Sequence, residues 1–516
     1  MDFHCRKQVT FWSGLSLAIL LVDASEGRFL SSSSKDEDTL PNVLFISIDD
    51  LRNDMGALGV EHAHTPNLDD FAAQSRLFSR HYVAVPSCGP SRAALIRGKR
   101  PTASEYLPNS AIRNTHNDWG EYSLPAWFRQ HGYTTLSLGK VTHHPGGLTG
   151  EGWAEGPEEL PGAWDHIWVP DSPWETPLDM MHGYANGVPR ERGVSPAWEA
   201  YDGPDEAYPD AWVANDAVEM LKKLVEQDDP WFFAVGFFKP HLPFAAPQKW
   251  FDIHDPEHLY VPEDTVRYPV PASWSPGIGT ARVTDDGDLV RHPSPSSWHP
   301  SRELMNNYGQ HPGHPQNDKD YARLLRHGYA AATSYMDAQI GRVLDVFDQL
   351  GLDDNTIVVI WSDHGFALGE QGIWGKHSLY EVALKCPLMI RYPGMDHKGE
   401  ISEAVVETID IYPTLTDLAG IPEPDGLHGK SLRPQLEDAR ATSKKPAFGF
   451  ANRGQTTIRT NDWRLIVHRS EGEDNGYELF DFRDNPNGER VEPKDEQTVV
   501  EKLMQQINAL PWHNIH

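Results

Sequence analysis

Val43-Leu44-Phe45-Ile46-Ser47-Ile48-Asp49-Asp50 reads as a strand buried on both faces that runs straight into two carboxylates. Three other stretches repeat the pattern. Tyr133-Thr134-Thr135-Leu136-Ser137-Leu138 leads to Gly139-Lys140, and Trp231-Phe232-Phe233-Ala234-Val235-Gly236-Phe237 leads to Lys239-Pro240-His241. Thr356-Ile357-Val358-Val359-Ile360-Trp361 leads to Ser362-Asp363-His364-Gly365. Near-continuous apolar runs of this length fit a mostly parallel sheet covered by helices on both faces. Helical patterns lie between them, over 123–130 before Gly132, over 208–226, and over 321–350 before Gly351. In open α/β sheets ligands bind beyond the carboxyl ends of the strands, so the four polar terminations are expected to meet in one crevice.

Each termination is weak evidence alone. A carboxylate pair after a strand is more often a helix cap or a solvated turn than a metal site. A sharper feature lies some forty residues beyond Asp50, where the chain reads Cys88-Gly89-Pro90-Ser91-Arg92-Ala93-Ala94-Leu95. A fixed Cys-x-Pro-Ser-Arg string arises by chance in roughly one chain of this length in several hundred. Pro90 is suited to open a helix running through Ile96, which would aim a positive helix end at an anion.

That string and the apolar helix after it resemble the signature of type I sulfatases, and the resemblance runs from about Pro41 to the C-terminus. Three stretches are similar to the iduronate-2-sulfatase branch in particular. They are Gly139-Lys140-Val141-Thr142-His143-His144-Pro145-Gly146, Lys239-Pro240-His241-Leu242-Pro243-Phe244, and Asp363-His364-Gly365-Phe366-Ala367-Leu368-Gly369-Glu370 with Lys376-His377-Ser378. The resemblance implies an alkaline-phosphatase-like α/β fold: a large mixed, mostly parallel sheet flanked by helices, with a smaller C-terminal α+β domain. It implies a secreted, calcium-dependent sulfatase acting on a sulfated carbohydrate, with 2-O-sulfated uronic acid units as the narrower expectation.

The same resemblance implies that Cys88 is oxidised to formylglycine by a maturation enzyme, and that the aldehyde hydrate attacks sulfur to give a covalent sulfo-enzyme. Asp49, Asp50, Asp363 and His364 would hold one Ca2+ together with the modified Cys88. Three carboxylates suit a hard cation, while His364 stands where many sulfatases have an amide. Arg92 would hold the nucleophile, Lys140 and Lys376 would neutralise sulfate oxygens, and His241 would protonate the leaving oxygen. His143, three residues after Lys140, would help expel sulfate. Lys239 reads either as a charge behind these groups or as a solvated residue, and His131, His327 and His377 read as ordinary hydrogen-bonded histidines.

The rest of the chain bounds these expectations. Residues 1–24 read as a secretory signal: Arg6 and Lys7, an apolar stretch from Phe11 to Val22 too short to span a bilayer, then Ala24 and Ser25. Residues 25–40 read as a linker, 41–438 as the catalytic domain and 446–516 as a small antiparallel sheet plus helix, with strands over 454–459, 462–467 and 477–482 and a helix over 496–510. Of three cysteines, Cys5 would leave with the signal, and modification of Cys88 would leave Cys386 without a partner. A formal charge of −30 excludes general binding to nucleic acid or anionic membranes. Residence is expected to be secreted or periplasmic, without stable membrane insertion, and the substrate a sulfated oligo- or polysaccharide. Residues 262–320 lack periodicity, and Trp298 and His299 are expected to rim a sugar pocket; residues 153–198 are a second irregular, aromatic-rich insertion. Competing readings are a phosphonate or phosphodiester hydrolase of the same superfamily, a secreted glycan-binding protein with a dead site, and a thiolate hydrolase using Cys88 with His143.

Overall fold

β1 (Asn42–Asp49) lies in the middle of an eight-stranded sheet in a computed structural model of the chain. The structure describes residues 40–510 apart from 151, 153–155, 171, 263–280, 284–288, 292–301, 310–314, 316–317, 444, 452–454 and 471–472. The other strands of this sheet are β2 (Arg76–Phe78), β3 (Thr134–Gly139), β4 (His166–Trp168), β5 (Trp231–Pro240), β6 (Thr356–Ser362), β7 (Leu388–Arg391) and β8 (Ile401–Ser402). Their order is β8-β2-β7-β6-β1-β5-β3-β4. β6, β1, β5, β3 and β4 pair in parallel, whereas β7 runs antiparallel to both β6 and β2. The sheet is therefore mixed and mostly parallel, and its four long central strands are the four apolar runs of the sequence.

Burial on both faces explains why these runs do not alternate with polar residues. Val43 and Phe45 pack into one core with Leu95 and Ile96 of α1 (Cys88–Arg97), Phe128 of α2 (Leu124–Gln130) and the apolar side chains of a later helix. Leu44, Ile46 and Ile48 point to the opposite core. There they meet Val213 and Leu221 of a helix following α3 (Pro177–Met181), namely α4 (Pro209–Leu224). After α5 (Arg302–Asn307) comes α6 (Lys319–Gln349), which adds Met336 and Ile340 to that core. α7 (Ile411–Ala419) supplies Leu415 to the first core. Asp318 caps α6 by accepting from Tyr321 N at 3.0 Å. The helix stops before Gly351, whose φ of 66° suits the left-handed turn there.

The C-terminal sheet has five antiparallel strands in sequence order: β9 (Ala447–Ala451), β10 (Gln455–Arg459), β11 (Trp463–Ser470), β12 (Glu473–Asp481) and β13 (Glu489–Val491). α8 (Gln497–Asn508) covers it through Val500, Leu503 and Ile507. That core is continuous with Ala94 of α1 and with Ala84 and Val85, and from Leu40 onward the chain is one compact unit.

Two details differ from the sequence reading. α1 begins at Cys88 rather than Pro90. A proline is tolerated in the third position because the first four helical N–H groups have no partner one turn back. Within 262–320, α5 and a hairpin pairing Ala281–Val283 with Leu289–Arg291 interrupt what reads as an aperiodic stretch. Trp298 and His299 lie outside the described residues. No helix among the described residues is long and apolar enough to cross a membrane.

Candidate active site

The carboxyl ends of β1, β3, β5 and β6 meet the N-terminus of α1. Asp49, Asp50, Cys88, Arg92, Lys140, His241, Asp363, His364 and Lys376 are all buried around this junction. The close approach of β3 to β5 depends on glycine. A Cβ on Gly236 would lie 2.1 Å from the Lys140 carbonyl carbon, and Gly139 turns with a φ of +72° against the Gly236 carbonyl. Lys140 is thereby directed beneath β1, where its ammonium group pairs with Asp49 Oδ2.

Cys88 Sγ lies 3.3 Å from Lys376 Nζ and 3.4 Å from His364 Nε2. Burial alone would push the thiol up, but Lys140, Lys376 and His364, together with a hydrogen bond from His143, hold it well below its ordinary range. Arg92, one turn along α1, donates from Nε to Asp363 Oδ2 at 2.9 Å and from Nη1 to the Val141 carbonyl at 3.0 Å. It ties the strand ends together as well as placing charge behind Cys88.

His364 Nε2 is also 3.2 Å from Asp50 Oδ1, and its Nδ1 is 2.9 Å from the Gly365 carbonyl. Lys376 Nζ reaches both oxygens of Asp50, at 3.0 and 3.1 Å. Asp363 Oδ1 accepts from the Asp50 backbone N–H at 3.1 Å, which fixes the turn at Asp50, where φ is 65°. The charge balance is tight. Burial drives Asp363 up to about 7 and raises Asp50, whereas Lys140, His241 and Arg92 hold Asp49 below the usual carboxylate range against burial and the Cys88 thiolate.

Asp49, Asp50, Cys88 and His364 each place one donor atom within 4.8 Å of the others. Asp49 Oδ1 is buried with no hydrogen-bond partner among the described residues. Two carboxylates driven toward protonation, Asp50 and Asp363, beside an Asp49 oxygen that accepts no hydrogen bond among the described residues and lies 3.5 Å from Arg92 Nη2, are what a hard divalent cation relieves, so the residues present fit such an ion. Asp363 touches the cluster through its Oδ1, 3.7 Å from His364 Nε2.

Sequence reasoning missed two residues here. Glu303 of α5 lies 3.2 Å from His241 Nε2 through Oε1 and 3.3 Å from Lys376 Nζ through Oε2. It sits in the stretch that carries no periodic signal. Asp210, in the first turn of α4, accepts from the backbone N–H groups of Phe238 at 2.7 Å and Lys239 at 2.9 Å, and so holds the end of β5. Tyr208-Pro209-Asp210 is a helix-start signature that could have indicated it. Lys239 is buried rather than solvated, donating to the carbonyls of Pro243 at 2.7 Å and His241 at 3.3 Å. His131 and His327 bond backbone carbonyls, of Trp127 and Phe251 respectively. His377 lies beside the site, with Nε2 3.3 Å from Ser87 Oγ, and burial lowers it to about 4.

Residues 41–421 match the Sulfatase family profile. The chain belongs to the sulfatase family. Residues 369–512 of this sulfatase also match the C-terminal profile of N-sulphoglucosamine sulphohydrolase. A sulfatase of Formosa agariphila is 30% identical over 460 residues, covering 87% of this chain and 82% of that protein. Iduronate 2-sulfatase of Homo sapiens is 29% identical, covering 80% of this chain and 74% of its own. A solved structure bound to D-glucosamine-2-N,6-O-disulfate superposes with a TM-score of 0.67 at 22% identity, covering 92% of this chain and 98% of the other. A phosphonate monoester hydrolase from Silicibacter pomeroyi gives 0.65 at 23%, covering 90% and 93%. At those identities the two structures speak for the fold, which is the alkaline-phosphatase-like one. The sulfatase is a hydrolase of sulfuric esters.

Proposed function

We propose that the protein is an exported, calcium-dependent sulfatase of sulfated carbohydrates, acting on 2-O-sulfated uronic acid units, with Cys88 converted to formylglycine. The observation that carries this reading is the placement of Cys88 Sγ, 3.3 Å from Lys376 and 3.4 Å from His364, at the first residue of a helix facing Asp49 and Asp50. The thiol stands where the oxygen of the aldehyde hydrate would stand. That hydrate, when formed, supplies an oxygen nucleophile toward sulfur, and a Ca2+ held by Asp49, Asp50, Asp363, His364 and residue 88 would favour its ionised form.

The chain's own groups do the rest. The N-terminus of α1 with Lys140 and Lys376 presents positive charge to sulfate oxygens. Arg92 fixes residue 88 by holding the strand ends on which it rests. His241 donates from Nδ1 to the Leu242 carbonyl at 2.7 Å, so the second proton of its charged ring sits at Nε2, where it is placed for the departing sugar oxygen. His143, whose Nδ1 has no partner among the described residues, takes a proton as sulfate is expelled. The similarity to iduronate 2-sulfatase supports the uronic acid preference.

We assign 1–24 to a removed leader, 25–40 to a linker, 41–438 to the catalytic part and 446–516 to a small C-terminal part. A secreted or periplasmic location and a formylglycine-forming partner follow from that assignment. Mass spectrometry of the Cys88 peptide from the native host, with hydrolysis of defined sulfated disaccharides, tests the reading. Conversion of the thiol to the aldehyde with release of 2-O-sulfate supports it. An unmodified thiol, or preference for an aryl phosphonate ester over an aryl sulfate at equal concentration, overturns it.

A further inference from the structure

Lys376 joins the carboxylate cluster to a second convergence of donor atoms. Its Nζ is 3.0 Å from Asp50 Oδ1 and 3.3 Å from Glu303 Oε2. Around Glu303 stand His182, which follows α3, and His241, beyond the end of β5. His182, His241 and Glu303 each place one donor atom within 4.8 Å of the others. The two imidazole centroids are 5.3 Å apart with planes inclined at 50°. His241 Nε2 lies 3.2 Å from Glu303 Oε1, near the edge of about 3.3 Å in a tetrahedron with metal–ligand bonds of about 2.0 Å.

The tautomers favour coordination. Nδ1 of His241 is 2.7 Å from the Leu242 carbonyl oxygen, and Nδ1 of His182 is 3.4 Å from the same oxygen. A carbonyl facing Nδ1 keeps the ring proton there and leaves Nε2 as the lone-pair nitrogen, the usual support of a metal-bound histidine. Burial, with His241 and Arg190 nearby, keeps His182 neutral, well below its ordinary range. Tyr308 Oη, 3.5 Å from His182 Nδ1, bounds the ring on that side.

The donor chemistry separates this cluster from the first. Three aspartates suit a hard ion, whereas two imidazoles and one carboxylate suit a borderline one. We propose that His182, His241 and Glu303 form a second metal site that takes a divalent cation of the Zn2+ type and arrests turnover. This rests on the reading of His241 as the acid for the leaving oxygen. An ion on Nε2 takes the place of that proton, which passes to solvent, and draws Glu303 away from Lys376.

The test uses the mature, full-length protein in excess Ca2+, so that the hard site is filled. Equilibrium dialysis with Zn2+ and the visible band of bound Co2+ report occupancy without substrate. The expected result is one tightly held Zn2+ per chain and loss of hydrolysis over the same concentration range. His182→Gln weakens Zn2+ binding at least tenfold while hydrolysis without Zn2+ is unchanged, and Glu303→Gln weakens binding likewise. Equal Zn2+ affinity in wild type and both variants overturns the site, and full turnover with the ion bound overturns the arrest. Because occupancy is read without substrate, an absence of sulfate ester turnover counts against the catalytic reading alone.

Discussion

His241 has the strongest claim to proton transfer of any residue in the crevice. Burial and Lys376 oppose its charge, yet Asp50, Glu303 and Asp49 outweigh them and push it up to about 9. It is therefore an imidazolium at neutral pH whose Nε2–H, 3.2 Å from Glu303 Oε1, can be handed to a leaving group. Replacement by glutamine keeps the volume and loses the proton. His241→Gln is expected to lower kcat by about a hundredfold or more on sulfated sugars, whose alkoxides leave poorly, and far less on a nitroaryl sulfate. Equal losses on both substrates, measured at saturation, would show that His241 does something else.

His81 shows the opposite environment. It is fully buried, with Nδ1 3.0 Å from the Cys386 carbonyl and Nε2 2.8 Å from Thr408 Oγ1. Burial lowers it to about 4, against a smaller raising effect of the Cys386 carbonyl. Unfolded histidine titrates near 6.5, so full stability is present above that pH. As pH falls from 6.5 toward 4, the unfolded chain takes a proton that the folded chain refuses. The loss attributable to His81 is about 2 kcal/mol at pH 5. Urea denaturation of wild type and His81→Asn at pH 7 and pH 5 should show a smaller pH effect in the variant. Parallel behaviour would remove this account.

At the scale of elements, the site is a consequence of where strands stop. The parallel register Gly139 opposite Gly236 brings the Lys140 backbone against β5. No flexible side chain can yield there, since a Cβ on Gly236 would also lie 2.6 Å from the Lys140 nitrogen. Gly236→Ala is expected to cost about 3 kcal/mol of stability and to lower activity as Lys140 shifts from Asp49. An unchanged denaturation midpoint would mean that β3 and β5 separate more easily than this packing allows.

The same strands explain what was legible in the sequence. Val43 to Ile48 and Thr356 to Trp361 are apolar throughout because cores lie on both sides, and the polar residues after them could only be at the carboxyl edge. Arg76–Phe78 and Leu388–Arg391 are too short to carry a period, and nothing in them announces that β7 runs antiparallel. Glu303 was illegible for another reason. Its partners are 62 and 73 residues away in sequence, at His241 and Lys376, so only the folded chain brings them together. Asp49, Cys88 and Lys376 were found through motif resemblance, because strand reading alone could say that they meet but not what they do.

For the molecule as a whole, the net charge of −30 opposes the approach of a polyanion. The cations of the crevice offer little long-range attraction, because Arg92, Lys140 and Lys376 are buried and paired with Asp363, Asp49 and Asp50. They act only once the sulfate has arrived. The screening length is about 30 Å at 0.01 M salt and about 8 Å at 0.15 M, so salt should remove the repulsion while sparing contacts inside the crevice. kcat/KM for a multiply sulfated chain is therefore expected to rise severalfold over that range, and for an aryl monosulfate to change much less. Initial rates at low substrate concentration check this. A fall in kcat/KM with added salt would mean that some surface beyond the crevice attracts the chain at long range.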